Sequence, residues 1–376
     1  MRAFVHTTLP LPCPHQHCSF RPADLGRPRY SLLTHYQTLC EELAAHPQRW
    51  LVTGAAGFIG SHLVAELLRL NQTVVGLDNF ATGKPANLTD IQHEVGHKAW
   101  ARFTFRAGDI CNPYDCFIAA QGADCVLHQA ALGSIPRSIA APAETHTTNT
   151  TGFVHLQEAA HKAGVTAFVY ASSSSVYGDH PDLPKREPVI GNPLSPYALS
   201  KHYCEQSAAV AARCHNFASI GLRYFNVFGA RQDPGGAYAA VIPKWVALLL
   251  RKETPVINGD GQTTRDFCFV RNVVQANLLA AADLQRQERA PTARIFNVAT
   301  GRRANLLTLF HLLRDELADT HPAVTKIEPT FGPFRAADIP HSFADITAIT
   351  QALGYTPTHN LAEGIKEALP WYLRNH

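Results

Sequence analysis

Apolar positions along the chain switch repeatedly between a strand-like and a helix-like pattern. Trp50-Leu51-Val52 is a short apolar run that ends at glycines 54, 57 and 60, after which Leu63, Val64, Leu67 and Leu68 share one face at helical spacing. Thr73 to Leu77 returns to strand character. Further strand-like runs stand at Phe103-Thr104-Phe105, Cys125-Val126-Leu127 and Ala167 to Ala171, with helical segments between them. Strands alternating with helices predict an α/β fold with a Rossmann-type, doubly wound parallel sheet. From about residue 230 the rhythm loosens, and Pro234, Gly235, Gly236, Pro243, Pro255 and Gly259 mark longer loops. Arg294-Ile295-Phe296-Asn297-Val298-Ala299 then reads as one more strand. A smaller α/β substrate domain, interleaved with the first, is therefore expected.

The same pattern sets the expected boundaries. Residues 1–28 contain five prolines and no period, and are expected to be a poorly ordered extension. Residues 29–46 place Leu32, Leu33, Tyr36, Leu39 and Leu43 at helical spacing, predicting an amphipathic helix. Residues 47–229 form the expected cofactor domain. Residues 230–376 mainly bind substrate, with about 267–300 returning to the first domain.

Composition narrows the function classes. Of 376 residues, 46% are hydrophobic and 17% charged, which fits a globular enzyme rather than a disordered chain. A net charge of +3 gives no reason to expect nucleic acid or an anionic membrane as partner. No apolar run approaches the roughly 18–20 residues that span a bilayer, and His, Pro and Cys interrupt the first twenty residues where a signal peptide needs an apolar core. A cytoplasmic location is expected. Cys111, Cys116, Cys125 and Cys268 read as small buried hydrophobes in a reducing compartment. Cys13, His15, His17 and Cys18 match no standard zinc spacing, so no metal is expected.

Gly54, Gly57 and Gly60 lie between a strand and a helix, the context a dinucleotide loop requires. Glycine lets the backbone approach closely, so that helix N–H groups and the helix dipole can meet a pyrophosphate. Asp78 ends the next strand, where a carboxylate accepts hydrogen bonds from ribose hydroxyls and repels a 2′-phosphate; NAD is expected rather than NADP. Downstream, Tyr197 and Lys201 stand four residues apart, on one face of a helix. A free phenol, with a pKa of about 10, is a poor base at neutral pH, and an ammonium beside it favours the phenolate. Ser172-Ser173-Ser174-Ser175 ends a strand with four hydroxyls able to bond a reacting oxygen. Together these groups suit proton exchange with a hydroxyl held beside a dinucleotide.

Several motifs carry a family resemblance over residues 46 to 376. They are Thr53-Gly54-Ala55-Ala56-Gly57-Phe58-Ile59-Gly60-Ser61, Gly108-Asp109-Ile110, His128-Gln129-Ala130-Ala131, the serine run, Tyr197 with Lys201, and Arg223-Tyr224-Phe225-Asn226-Val227-Phe228-Gly229. The chain resembles an extended short-chain dehydrogenase of the UDP-hexose 4-epimerase family. Leu127 to Ser138, Tyr177 to Pro181 and Arg231 to Tyr238 are most similar to the branch acting on UDP-N-acetylglucosamine and its uronic acid.

The resemblance implies roles. NAD would be held by Gly54, Gly57, Phe58, Ile59, Gly60, Asp78, Asn79, Gln129, Ala130, Tyr197, Lys201 and Tyr224, with Asp109 and Ile110 at the adenine. Tyr197, Lys201 and Ser173 would be catalytic, Ser174 and Ser175 competing with Ser173 for the hydroxyl role. The UDP-sugar would meet Gly133, Ser134, Ser173, Ser174, Asn226, Gln232, Arg265, Arg335, Asp338 and Ser342. Ser342 stands where relatives restricted to UDP-glucose and UDP-galactose carry a tyrosine, so the small side chain implies room for a 2-acetamido group. Arg271 stands where close relatives carry an acid, which puts local salt bridging in question. The family also implies a homodimer through helices near 140–163 and 197–215.

The expected reaction is C4 epimerisation of a UDP-N-acetylhexosamine, or of its C6 uronic acid, through a 4-ketose with NAD retained. A 4-epimerase of UDP-glucose or UDP-glucuronate is one alternative. A nucleotide-sugar 4,6-dehydratase commonly has Asp-Glu after its catalytic hydroxyl, where this chain has Ser174-Ser175. A non-enzymatic NAD-binding regulator is the remaining alternative.

Overall fold

The apolar runs become strands of one parallel sheet. The computed structural model describes residues 34–235, 240–286, 292–334 and 341–375. Its strands are β1 (Arg49–Thr53), β2 (Thr73–Asp78), β3 (Phe103–Ala107), β4 (Cys125–His128), β5 (Ala167–Ser173), β6 (Ser219–Tyr224), β7 (Val227–Phe228), β8 (Val256–Asn258), β9 (Thr264–Arg265), β10 (Cys268–Phe269), β11 (Ala293–Val298), β12 (Ala304–Asn305), β13 (Thr330–Gly332) and β14 (His341–Ser342). The helices are α1 (His35–Ala45), α2 (Phe58–Arg69), α3 (Pro85–Trp100), α4 (Pro113–Ala120), α5 (Ile135–Ala140), α6 (Pro142–His146), α7 (Gly152–Lys162), α8 (Pro196–His215), α9 (Val241–Leu250), α10 (Val270–Gln285), α11 (Leu306–Ala318), α12 (Thr347–Leu353) and α13 (Leu361–Asn375).

The main sheet has seven strands in the order β11-β6-β5-β4-β1-β2-β3, every neighbouring pair parallel. The period of two places successive side chains on opposite faces. Val52, Leu127 and Val169 join Leu63, Val64, Leu67 and Leu68 of α2 and the apolar face of α10. Leu51, Val126, Phe168 and Tyr170 join α4, α7 and α8 on the other face. Each such buried side chain contributes roughly 1.5–3 kcal/mol, so the two faces are the main source of stability. A third core, containing Trp245, Phe310, Leu313, Ile365 and Tyr372, unites α9, α11 and α13 away from the sheet. The order reverses at β1, between β2 and β4, and a crevice opens at the carboxyl ends there.

Sequence expectation and structure differ at several points. β6 was not among the expected strands. Its middle is Gly221, where a Cβ would come within 2.6 Å of the Tyr170 ring, so close packing replaces apolar bulk. Ala299 falls outside β11. Helix α1 begins at His35 because Thr34 caps it, its side chain accepting from Gln37 N–H while the Gln37 side chain accepts from Thr34 N–H. Leu39 and Leu43 are buried as expected. Leu32, Leu33, the 1–28 extension and the Cys13, His15, His17, Cys18 group lie outside the described residues. Cys116, Cys125 and Cys268 are buried, but Cys111 is only half-buried, because it follows Asp109 at the crevice edge, with Sγ 3.7 Å from Thr147 O. Arg271 does form a salt bridge, at 2.5 Å with Glu367 of α13. Among the described residues no helix is long and apolar enough to cross a membrane.

Candidate active site

The crevice deepens into a cleft of about 620 Å³. One wall is the turn after β1. Gly54 has φ of +69°, and a Cβ there would stand 2.8 Å from Ala130 N. A Cβ on Gly60 would stand 2.0 Å from Gly54 O. Only hydrogen fits at either place. Gly57 is the N-cap of α2 and offers no side-chain cap, so the first-turn N–H groups face the cleft without a side-chain acceptor. Phe58 and Ile59 complete this wall.

Asp78 is held at the end of β2 by two backbone donors, Ala56 N–H at 2.9 Å and Phe80 N–H at 2.7 Å. Each carboxylate oxygen keeps a further lone pair for a ribose hydroxyl. Asn79 donates to Asp109 Oδ2 at 3.0 Å. Burial pushes the Asp109 carboxyl up, but donors from Cys111 and Asn79 outweigh it and hold the group below the usual carboxylate range. Asp109 and Ile110 line the cleft end farthest along the sheet, after β3.

The floor is built from β4, β5 and β6. Thr53 Oγ1 lies 2.7 Å from His128 Nδ1 and accepts from Ala130 N–H at 3.3 Å, which clamps the end of β4 to β1. Burial and the charge of Lys201 push His128 down to about 3, so its ring is neutral. Gln129 donates to Asn277 at 3.1 Å and accepts from the Tyr224 hydroxyl at 3.1 Å. Asn277 donates back to that hydroxyl at 2.9 Å, and burial raises the Tyr224 phenol above its ordinary value.

Helix α8 carries the candidate pair, Tyr197 and Lys201. Ser195 caps it, accepting from Ala198 N–H at 3.1 Å, and Pro196 opens the first turn. Tyr197 is half-buried on the cleft wall, and Lys201 is buried, its ammonium donating to Ala171 O at 2.9 Å. Two further ammonium donors remain. Ser173 ends β5 in the same cleft, its hydroxyl 3.1 Å from Ser175 Oγ and accepting from Ser175 N–H at 3.1 Å.

Every sequence-predicted cofactor residue therefore lines one cleft: Gly54, Gly57, Phe58, Ile59, Gly60, Asp78, Asn79, Asp109, Ile110, Gln129, Ala130, Tyr197, Lys201 and Tyr224. Ser173, Gly133, Asn226 and Gln232 line it too. Ser134 and Ser174 do not: Ser134 caps α5, accepting from Arg137 N–H at 3.3 Å, and Ser174 opens the 3-10 turn after Ser173. Arg265 and Ser342 also lie off this wall, as register partners in a small sheet of β12, β9 and β14. Arg335 and Asp338 fall outside the described residues. The sequence assigns no role to His128, Asn277, Glu144 or Thr148; the first two act through partners distant in sequence, and the last two reach the wall from α6 and the π-helical turn Thr147–Thr151 that follows it. Among the described residues no cluster suits a metal ion.

Known proteins resemble this chain over most of its length. The NAD dependent epimerase/dehydratase family matches residues 50–299. The UDP-glucose 4-epimerase of Mycolicibacterium smegmatis is 35% identical over 331 residues, covering 86% of this chain and 98% of that protein. The structure of a UDP-N-acetylglucosamine 4-epimerase from Methanobrevibacter ruminantium, in complex with UDP-N-acetylmuramic acid, superposes with a TM-score of 0.79 at 33% identity, covering 88% of this chain and 99% of that one. The UDP-glucose 4-epimerase of Thermotoga maritima with UDP-glucose gives 0.77 at 32% identity, covering 87% and 99%. A glycine turn at the switch point of a parallel sheet, a Tyr–Lys pair and likeness to epimerases over 86–88% of the chain meet in one protein, which belongs to the NAD dependent epimerase/dehydratase family and is an NAD-dependent enzyme of its 4-epimerase group.

Proposed function

We propose that the chain interconverts the C4 epimers of a UDP-N-acetylhexosamine, UDP-GlcNAc and UDP-GalNAc, through a 4-keto sugar. The observation that carries the reading is the convergence of Tyr197, Lys201 and Ser173 with the Gly54–Gly60 loop and Asp78 in one cleft. Bound NAD supplies a reversible hydride acceptor at C4. Tyr197 takes the C4 hydroxyl proton and later returns it, while Lys201 holds positive charge on the phenolate's side of the site. Ser173, whose oxygen accepts from Ser175 N–H, turns its hydroxyl proton from Ser175 Oγ to donate to the developing C4 oxyanion. The first-turn N–H groups of α2 and Asp78 hold the dinucleotide. Because both sugar faces must be served, recognition falls mainly on UDP, for which we assign Asn226, Gln232, Arg265, Arg335 and Asp338. Arginine suits this task because its planar fork bonds phosphate oxygens in pairs.

Preference for the acetamido sugar rests on Ser342. Its small side chain sits in register with Arg265, and one structural relative is a UDP-N-acetylglucosamine 4-epimerase, whereas several other relatives are UDP-glucose 4-epimerases. On the same reading residues 47–229 hold NAD and 230–376 mainly hold substrate, with 267–300 returning to the first part; α10 packing on β5 and β6, and β11 beside β6, support this division. A second copy of the chain is assigned to the face of α7 and α8, where Leu199, Tyr203 and Val210 stand exposed.

The test is turnover of UDP-GlcNAc, UDP-GlcNAcA and UDP-glucose by purified protein without added NAD, products resolved by chromatography. Conversion of an N-acetylated substrate to its galacto epimer supports the whole reading. Conversion of UDP-glucose alone keeps the chemistry and overturns the role of Ser342. A dehydrated product moves the chain to the dehydratases.

A further inference from the structure

Glu205 lies one helical turn beyond Lys201 and two beyond Tyr197, so α8 presents all three on one face. Its carboxylate is buried, with 4% of the side chain exposed. Ser172 Oγ donates to Oε1 at 2.5 Å, and Arg223 donates through Nε to Oε1 and through Nη2 to Oε2, each at 2.8 Å. Arg223, equally buried, stands on β6 directly opposite Ser172 of β5. Its remaining nitrogen donates to Glu187 O at 3.0 Å, and its guanidinium lies 4.8 Å from the centre of the Tyr177 ring. The Tyr177 hydroxyl donates to Asn297 at 2.6 Å, and Asn297 donates to Asp345 O at 3.1 Å, three residues past Ser342. One buried polar chain thus joins the catalytic helix, the ends of β5 and β6, and the segment that carries Ser342.

Stability alone is a poor reason for such a pair. Desolvation offsets most of the attraction, and well-packed apolar replacements are often neutral or stabilising. Burial opposes both charges here; the hydrogen bonds between the partners nonetheless hold the Glu205 carboxyl low and the Arg223 guanidinium high. What the pair does supply is geometry. Helix α8 buries chiefly small side chains, Ala198, Ser200, Cys204, Ala208 and Ala211, whose shallow relief fixes helix rotation and axial position weakly. A planar fork meets a carboxylate in one arrangement.

We propose that Glu205, Arg223 and Ser172 form a positioning device that fixes α8 against the end of β5, so that Tyr197 and Lys201 keep their placement relative to Ser173 through turnover. The inference rests on the reading of Tyr197, Lys201 and Ser173 as the reacting groups. It gives the buried pair a task that packing by small residues cannot perform. Sites of this kind need their groups held to within about 0.5 Å, finer than alanine contacts enforce.

Four variants test it: Glu205→Gln, the apolar pair Glu205→Met/Arg223→Met, Ser172→Ala, and Tyr197→Phe alongside. For each, kcat, KM, NAD bound per chain and melting temperature are measured. Glu205→Gln is expected to lower kcat by about 100-fold, with KM within about twofold and NAD content unchanged. The apolar pair is expected to melt at or above the wild-type temperature while kcat stays at least about tenfold low. An apolar pair with both wild-type melting and wild-type kcat overturns the proposal, as do kcat losses that merely follow lost NAD. If the Glu205 variants do not fold, Ser172→Ala decides: kcat reduced about threefold or more at near-normal melting supports the device, and an unchanged kcat refutes it. Persisting turnover in Tyr197→Phe would instead bring down the reading of the reacting groups, whatever the Glu205 variants do.

Discussion

Replacing Gly60 with alanine is the most sharply defined perturbation of the cofactor loop. The added Cβ would stand 2.0 Å from Gly54 O and 2.7 Å from Gly54 C. Reaching even a tight C···O contact of about 3.3 Å requires the loop and α2 to part by about 1.3 Å. Gly54 cannot yield inward, because its own Cβ direction is closed by Ala130 N at 2.8 Å. The N-terminus of α2 must therefore withdraw, and its N–H groups lose the pyrophosphate. Charge-assisted hydrogen bonds contribute about 1.5–3 kcal/mol each, so losing two costs roughly 3–6 kcal/mol, or about 10²–10⁴ in NAD affinity. Overpacking adds a stability loss of about 1–3 kcal/mol, within what a domain of this size tolerates. The assay is NAD released on denaturing the purified variant, together with calorimetric titration of NAD and a circular dichroism melt that separates lost cofactor from lost fold. A folded variant with a full complement of NAD and wild-type turnover would refute the assignment of the pyrophosphate to this turn.

Three further outcomes are expected. Tyr197→Phe should lower turnover by at least about 10³-fold while calorimetric affinity for the UDP-sugar stays nearly intact; strong residual turnover rules the phenol out. Ser342→Tyr should reduce UDP-GlcNAc turnover by at least about tenfold relative to UDP-glucose, and an equal fall for both substrates sinks the specificity argument. His128 is held to about 3 by burial and by the Lys201 charge, below the unfolded value of about 6.5. The unfolded chain therefore binds the extra proton first, and stability falls as pH drops from about 6.5 towards 3, by a few kcal/mol at most for this one ring. His62 is pushed down for the same reasons, burial and the charge of Arg231, and adds to the effect. Urea unfolding at pH 7 and pH 5 checks it: His128→Gln should flatten the slope, and an unaltered slope contradicts the assignment.

Legibility of this chain in its sequence depended on whether a physical requirement is met by neighbours in sequence or by partners across the fold. The β1–turn–α2 unit was readable because strand, glycines and helix are contiguous, and each glycine answers a steric demand visible in the spacing. Tyr197 and Lys201 were readable because one helical turn guarantees their shared face. β6 was not, because Gly221 there makes room for Tyr170 and Ser219 and Arg223 interrupt the apolar run of Ile220, Leu222 and Tyr224. Cys111 is half-buried because it follows Asp109 and Ile110 at the cleft edge, between an acid and Asn112, so residue type alone does not report its exposure.

The same distinction explains why the substrate half is harder to read than the cofactor half. The residues assigned to NAD stand at the carboxyl ends of adjacent parallel strands, whose positions follow directly from the order β5-β4-β1-β2-β3. Of the residues assigned to UDP, Asn226 and Gln232 line the same cleft beside β7, whereas Arg265 stands on β9 and meets Ser342 of β14 only through the pairing of two-residue strands. Such short strands have no period that sequence can display; their register is set by neighbours such as β12 and the Lys185–Ala344 bridge. The buried chain runs from Glu205 through Arg223 and Tyr177 to Asn297, so a residue two turns beyond Tyr197 is tied to the segment that bears Ser342. Specificity and catalysis then share one scaffold, and substitutions in that chain should alter kcat for every UDP-sugar alike, whereas those at Ser342 should separate one sugar from another.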